Sequence, residues 1–221
     1  MTTFTLSHAQ IAAIASVRAA TPVSTSDRST TPILAAVQIT VTPERVTAVA
    51  TDRYIVTELS FPLGDTAHTL KPDSAHVITL DSKDLALIVK NATVPRSTRA
   101  DRAFFTFTTS DDSENGNVTV AHDYGQLIGE YRQIVGNYPP IARLFPENVE
   151  PLTDMPHINP AYFTRATKAH TPGETSTKER GGIMWQIAAA GTTHATKSGP
   201  ILLTARVGTD YRLRSLVQPS R

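Results

Sequence analysis

Three times along this chain a short strand pattern runs into an amphipathic helix and then into about three more strands. A repeat of this kind constrains the fold more than any single motif, because one copy cannot close a core alone. The first copy opens with Thr3-Phe4-Thr5-Leu6. Ser7 then reads as an N-cap and Gln10 as its capping-box partner. Ile11, Ile14 and Ala15 fall on one face at helical spacing, with Arg18 beyond them. Strand-like runs follow at 33–41, 45–50 and 54–61, and the Ser/Thr-rich stretch 21–31 reads as a loop. The second copy opens at 76–80. Asp81 or Ser82 caps a helix carrying Leu85, Ile88 and Val89, and strands follow at 103–108, 117–122 and 126–132. Phe105/Phe107 and Val118/Val120 show the period of two expected of half-buried strands. The polar stretch 110–117 reads as a hairpin turn.

Five prolines between 138 and 156 argue for an extended connector. The third copy opens at His157-Ile158, with Asn159 as N-cap and Pro160 at the first helical position. Tyr162, Phe163 and Ala166 give that helix an apolar side. A polar loop at 171–182 and strands at 183–190, 200–207 and 211–218 complete it. The expected organisation is therefore α+β, built of β-α-β-β-β units. A two-unit domain spans 1–137, a connector 138–156 and a one-unit half-domain 157–221.

The chain has 21 basic and 20 acidic residues and a net charge of +1, so a nucleic-acid partner would need the positive charge gathered on one surface. No cysteine is present, which removes disulfides, thiolate metal sites and cysteine nucleophiles and suits a cytosolic setting. No apolar run reaches the ~20 residues of a membrane span. Residues 1–30 lack the basic start and unbroken apolar stretch of a signal peptide. Catalytic signatures are missing too. His8, His68, His76, His122, His157, His170 and His194 show no H-x-x-x-H or H-E-x-x-H spacing. Asp111, Asp112 and Glu114 lack the other ligands of a calcium loop, and no Lys-Ser/Thr follows Gly181-Gly182. Neither an enzyme nor a bound metal or cofactor is expected.

Two segments then carry a resemblance. Ala50-Thr51-Asp52-Arg53-Tyr54-Ile55-Val56 resembles the "ATDGYRL" segment of the bacterial-type DNA sliding clamp, and Pro32-Ile33-Leu34 resembles the strand that leads to it. Tyr138-Pro139 through Leu144-Phe145-Pro146 resembles the "YPDYRRLIP" run that closes a clamp domain. Gly199-Pro200-Ile201-Leu202-Leu203-Thr204 and Leu216-Val217-Gln218-Pro219-Ser220-Arg221 resemble the family's last strands and ending. The bacterial chain has six units; this one resembles its middle domain plus the last half of its final domain. Arg53 stands where the family commonly has Gly, and Gln218 where it usually has Met. The shortness suits a phage or mobile-element version acting in a bacterial host's cytoplasm.

The resemblance implies a DNA-clamp fold, with outer antiparallel sheets and inner helices, assembled into a homo-oligomeric ring of three or four chains. It implies a polymerase processivity factor whose helices face duplex DNA. On the helices and their continuing loops lie Arg18, Lys83, Lys90, Arg96, Arg99, Arg102, Arg165, Lys168, Lys178 and Arg180, ten of the 21 basic residues. Acidic residues gather in loops instead, at Asp111, Asp112, Glu114, Glu147, Glu150 and Asp154. A polymerase and a clamp loader would insert a short linear motif into an apolar groove. By motif, the groove comprises Thr51, Arg53, Tyr54, Ile55, Val56, Pro139, Arg143, Leu144, Leu216, Val217, Gln218 and Pro219. Two other classes fit the same residues. One is a clamp-fold protein that binds host replication factors without encircling DNA. The other is a β-rich virion structural protein.

Overall fold

A computed structural model describes residues 1–92, 94, 103–110, 116–146, 157–172, 185–189, 199–205 and 210–219. Each helix in the three copies starts where its cap dictates. Strand β1 (Thr2–Ser7) runs straight into α1 (His8–Ser16). At that junction the Gln10 amide donates to Ser7 Oγ at 3.2 Å and the Ser7 amide donates to Gln10 Oε1 at 2.8 Å, closing the expected capping box. A 3₁₀ turn, Val17–Ala20, extends α1.

The stretch read as a loop at 21–31 holds a short helix, α2 (Thr25–Thr30). Its Ser/Thr composition hides it, because those side chains favour caps and turns. Here the hydroxyls bond within the helix, Thr30 Oγ1 donating to the Ser26 carbonyl at 2.6 Å. Arg28 ties the helix down through Asp81 and Ser82, both at 2.9 Å. The run read as a strand at 33–41 also divides. Pro32–Ala35 is a 3₁₀ turn, favoured by proline at its start, and β2 begins only at Ala36 (Ala36–Val41).

Strands β3 (Arg45–Thr51) and β4 (Ile55–Pro62) complete the first unit. The second has β5 (His76–Asp81), α3 (Ser82–Asn91), β6 (Phe104–Thr109), β7 (Asn117–His122) and β8 (Leu127–Arg132). The third has α4 (Pro160–Ala166), β9 (Trp185–Ala189), β10 (Ile201–Ala205) and β11 (Arg212–Val217). Asp81 caps α3 by accepting from the Lys83 amide at 2.7 Å, and Asn159 caps α4 by accepting from the Ala161 amide at 2.9 Å. The expected opening strand at His157-Ile158 is not formed: residues 157–159 run up to the cap without one.

Among the described residues two antiparallel sheets result, ordered β1-β6-β7-β8 and β5-β2-β3-β4-β11-β10-β9. The first two units exchange their opening strands. β1 of unit one pairs with β6 of unit two, from Thr2↔Thr109 to Ser7↔Phe104. β5 of unit two pairs with β2 of unit one, from Ala36↔Asp81 to Val41↔His76. The third unit joins the larger sheet through β11 on β4, from Ile55↔Val217 to Ser60↔Arg212.

One main core lies between the sheets and the helices. Ile11, Ile14, Leu85 and Ile88 from the helices meet Phe4, Ile39, Phe61 and Phe105 from the strands, all essentially inaccessible. Phe4 and Phe107, direct cross-strand partners, stack with ring centroids 5.2 Å apart. Alternation along the large sheet sends the intervening residues to its other face. Val56, Leu202, Leu216, Ile141 and Phe145 form a second buried cluster there, with Val49 and Tyr138 packed against it.

Candidate functional site

The period of two in β3, β4, β10 and β11 creates two differently packed faces on one sheet. Ala50, Ile55, Leu59, Leu203, Leu213 and Val217 point to the helix layer, while Val49, Val56, Leu202 and Leu216 point away from it. The first face carries the helices; the second carries an apolar cluster buried beneath Tyr138, Ile141 and Phe145.

On the helix layer, Arg18, Lys83, Lys90 and Lys168 are exposed, and among the described residues none of them makes an ion pair. Two adjoining clefts bring three of them together. A cleft of about 490 Å³ between α1 and α3 is lined by Ala12, Ala15, Ala86, Val89 and by Arg18 and Lys168. A second, of about 320 Å³, is lined by Arg18, Lys83, Arg28, Arg165 and Lys168. Sequence reasoning missed Arg28, whose guanidinium is held by Asp81 at 2.9 Å. Arg96, Arg99, Arg102, Lys178 and Arg180 lie outside the described residues, as do all six acidic loop positions, Asp111, Asp112, Glu114, Glu147, Glu150 and Asp154.

Arg165 does something different from the other helix cations. Its Nη1 pairs with Asp52 Oδ2 at 2.7 Å, and both side chains are largely buried. Its Nε donates to the Ala19 carbonyl at 3.0 Å and its Nη2 to the Thr21 carbonyl at 2.8 Å. The guanidinium is therefore spent inside the fold, joining α4, the end of α1 and the β3–β4 turn.

That turn is the heart of the other face. Asp52 Oδ1 accepts from the amides of Tyr54 and Ile55 at 2.9 and 2.8 Å, and Thr51 Oγ1 donates to the Ile55 carbonyl at 2.8 Å. Arg53 adopts φ +80°, a left-handed conformation in which glycine is unstrained, and its Nη2 donates to Thr31 Oγ1 at 2.7 Å. The tail is fixed to the same turn by the Gln218 amide, which donates to the Tyr54 carbonyl at 2.8 Å. Tyr54 is half-exposed and stacks on Tyr162 of α4, centroids 5.4 Å apart.

The segment 139–146 arrives over this surface as a 3₁₀ turn, Ile141–Leu144. It buries Ile141 and Phe145 and leaves Arg143 and Leu144 exposed. Tyr138 Oη donates to the Val49 carbonyl at 3.1 Å, and burial pushes its phenol pKa well up. Beneath, Glu58 is buried. It receives Arg214 through Nε at 2.9 Å and Nη2 at 3.2 Å, and Arg212 through Nε at 2.8 Å. The Arg214 guanidinium lies 3.9 Å from the Phe145 ring centre.

Of the expected groove residues, Val56 and Leu216 belong to the buried cluster on the face away from the helices, Gln218, Arg143 and Leu144 are exposed next to members of that cluster in the chain, and Tyr54 stacks on α4. Ile55 and Val217 are not part of that cluster. They are buried in the main core, because each neighbours an outward residue on its strand and the pleat turns it to the other side. Glu58, Arg214 and Phe145 escaped sequence reasoning; only Phe145 carried a signal, inside the Tyr138–Pro146 motif.

Among the described residues no group of three or more His, Asp or Glu side chains could hold a metal ion, and no helix is long and apolar enough to cross a membrane. No protein-family model matches the chain, and no curated protein matches it in sequence. Solved structures do. The protein has the DNA sliding-clamp fold, mixed α+β with antiparallel sheets. It is similar to a Helicobacter pylori β clamp crystallised with diflunisal, at TM-score 0.67 and 12% identity over 100% of this chain and 66% of that one. It is similar to the DNA polymerase III β chain of Streptococcus pneumoniae, at TM-score 0.61 and 15% identity over 100% of this chain and 65% of that one. It is also similar to Archaeoglobus fulgidus PCNA bound to the C-terminal region of FEN-1, at TM-score 0.50 and 13% identity, over 100% of this chain and 99% of that one. The chain spans about half to two thirds of the length of the bacterial clamps it matches.

Proposed function

We propose that this chain is the subunit of a DNA sliding clamp, a non-catalytic processivity factor that holds a polymerase to duplex DNA. The observation that carries the reading is the division of labour between the two faces of one sheet. Exposed cations sit on the helix layer. The turn at 51–56, the 3₁₀ turn at 141–144 and the tail at 216–219 converge on the opposite face. Arg18, Lys83, Lys90 and Lys168, with Arg96, Arg99, Arg102, Lys178 and Arg180, would meet phosphates without reading bases, which suits a protein that must slide. Arg165 would shape that layer and not touch DNA.

Exposed Tyr54 and Leu144, backed by the buried cluster of Val56 and Leu216 and flanked by Arg143 and Gln218, would seat a short linear motif of the polymerase or loader. An apolar patch with few polar groups is the usual form of such a site. The copies would close into a homo-oligomeric ring in the cytoplasm of a bacterial host.

The test is primer extension on a long primed circular template with the cognate polymerase and loader, with and without this protein. Longer products and retention on circular but not linearised DNA are expected. No gain in product length sinks the processivity reading. A gain without topological retention sinks the encircling one.

A further inference from the structure

The two clefts of the helix layer adjoin through shared walls: Arg18, Ala19 and Lys168 line both. Among the described residues no acidic side chain lines either one. Five basic residues meet in the smaller cleft of about 320 Å³: Arg18, Arg28, Lys83, Arg165 and Lys168. Two of them are consumed in building its wall. Arg165 pairs with Asp52 and donates to the Ala19 and Thr21 carbonyls. Arg28 pairs with Asp81, donates to Ser82 Oγ at 2.9 Å and reaches the Pro22 carbonyl at 3.3 Å. The Arg18 carbonyl accepts from Thr21, through its amide at 3.0 Å and its hydroxyl at 2.9 Å. These carboxylates and carbonyls, which would otherwise repel an anion, are already engaged. Arg18, Lys83 and Lys168 remain in the cleft and, among the described residues, make no ion pair. A concavity lined by one sign of charge concentrates the opposite ion.

The larger cleft, of about 490 Å³, has a different character. Ala12 and Ala15 of α1 and Ala86 and Val89 of α3 line it, small side chains that leave room between the two helices. Ser16 adds a polar atom. Its Oγ donates to the Ala13 carbonyl at 2.6 Å and accepts from the His170 amide at 3.0 Å, which leaves one lone pair.

We propose that the joined clefts bind a nucleoside triphosphate. The phosphates would lie among Arg18, Lys83 and Lys168, and the base in the alanine-lined cleft, with Ser16 Oγ accepting from an exocyclic amino group. Both volumes fall in the range of about 300–1,000 Å³ usual for small-molecule sites. Duplex DNA is a poorer match. Its charge is strung out at one phosphate per about 3.4 Å of each strand, and its bases are paired inside. A triphosphate gathers its charge at one point and brings a free base edge. The site needs neither DNA nor a second chain, so it stands apart from the clamp reading.

Calorimetric titration of the whole chain, without DNA and in EDTA, tests it with ATP, inorganic tripolyphosphate and adenosine as probes. ATP should bind at one site per chain, and more tightly than tripolyphosphate although the inorganic ion carries more charge. Adenosine alone should give no measurable binding. Lys83→Gln should weaken ATP and tripolyphosphate about tenfold, the loss of one hydrogen bond to a charged group. Lys90→Gln should change neither, because Lys90 is exposed on the same helix but lines neither cleft. Ala86→Leu fills the apolar cleft and should bring ATP down to the affinity of tripolyphosphate. Ala86 is only partly buried and leucine is a good helix former, so that variant should fold; the two lysine variants do not depend on it. No saturable ATP binding at millimolar concentration overturns the proposal. So does ATP binding no tighter than tripolyphosphate, or equal weakening by Lys83→Gln and Lys90→Gln. Primer extension reads the clamp function separately: its failure leaves ATP binding intact, and absent ATP binding leaves processivity intact.

Discussion

Arg165 and Lys168 share a helix end and a charge, and only the structure separates them. Lys168 is exposed at the lip of both clefts. Arg165 is clamped between Asp52 and two backbone carbonyls. Removing one partner of a buried, hydrogen-bonded pair strands the other and costs about 3 kcal/mol or more, whereas an exposed cation away from such features changes stability by less than ~0.5 kcal/mol. Thermal unfolding should accordingly drop steeply for Arg165→Met and hardly at all for Lys168→Ala. The sequence marks both as helix cations and cannot tell them apart, because Asp52 lies in a different unit. His8 supplies a second test at this scale. Burial at the start of α1 lowers its pKa below the ordinary 6.5, opposed by a hydrogen bond to the Val89 backbone. Its Nδ1 has no hydrogen-bond partner. Protonation thus favours the unfolded chain: this contribution is intact above pH 6.5 and lost as pH falls through the folded value. The melting temperature should decline between pH 7 and pH 5, and less so in His8→Gln.

Elements are legible where local chemistry decides them. The caps Ser7, Asp81 and Asn159 and the alternation in β6 and β7 place helices and strands within a residue or two. Two segments mislead because their signals compete. The Ser/Thr run that becomes α2 reads as loop, and Pro32 starts a 3₁₀ turn inside an apolar run that reads as strand. Alternation also says which residues share a face but not which strand lies alongside. The exchange of β1 and β5 and the joining of β11 to β4 are therefore invisible locally. That last seam depends on Glu58, buried between Arg212 and Arg214 on the neighbouring strand. Glu58→Gln keeps the shape and loses the charge. It should destabilise the chain by about 3 kcal/mol, and hydrogen exchange should rise first in β11 and β10.

At the scale of the whole molecule, a net charge of +1 does not reveal that exposed Arg18, Lys83 and Lys168 share the helix layer. Under the proposed function, reversing Arg18, Lys83 and Lys168 to Glu should weaken binding to duplexes of any sequence equally. Every phosphate left without its cation should flatten the salt dependence by about 0.9 in log–log slope. Groove variants such as Leu144→Ala should leave that slope unchanged. The motifs at 50–56 and 138–146 are readable in the sequence as candidate site segments. Their meeting with the tail follows from the family resemblance alone, because the contact itself depends on the Gln218 amide reaching the Tyr54 carbonyl across the β4–β11 seam.

The position of Trp185 has an optical consequence. It is the chain's single tryptophan, and among the described residues it stands on the last strand of the larger sheet. Near-ultraviolet emission therefore watches the rim of the molecule and is nearly blind to the phenylalanine-lined interior. A denaturant titration followed by fluorescence should report β9 coming loose, at a lower midpoint than circular dichroism reports for the rest.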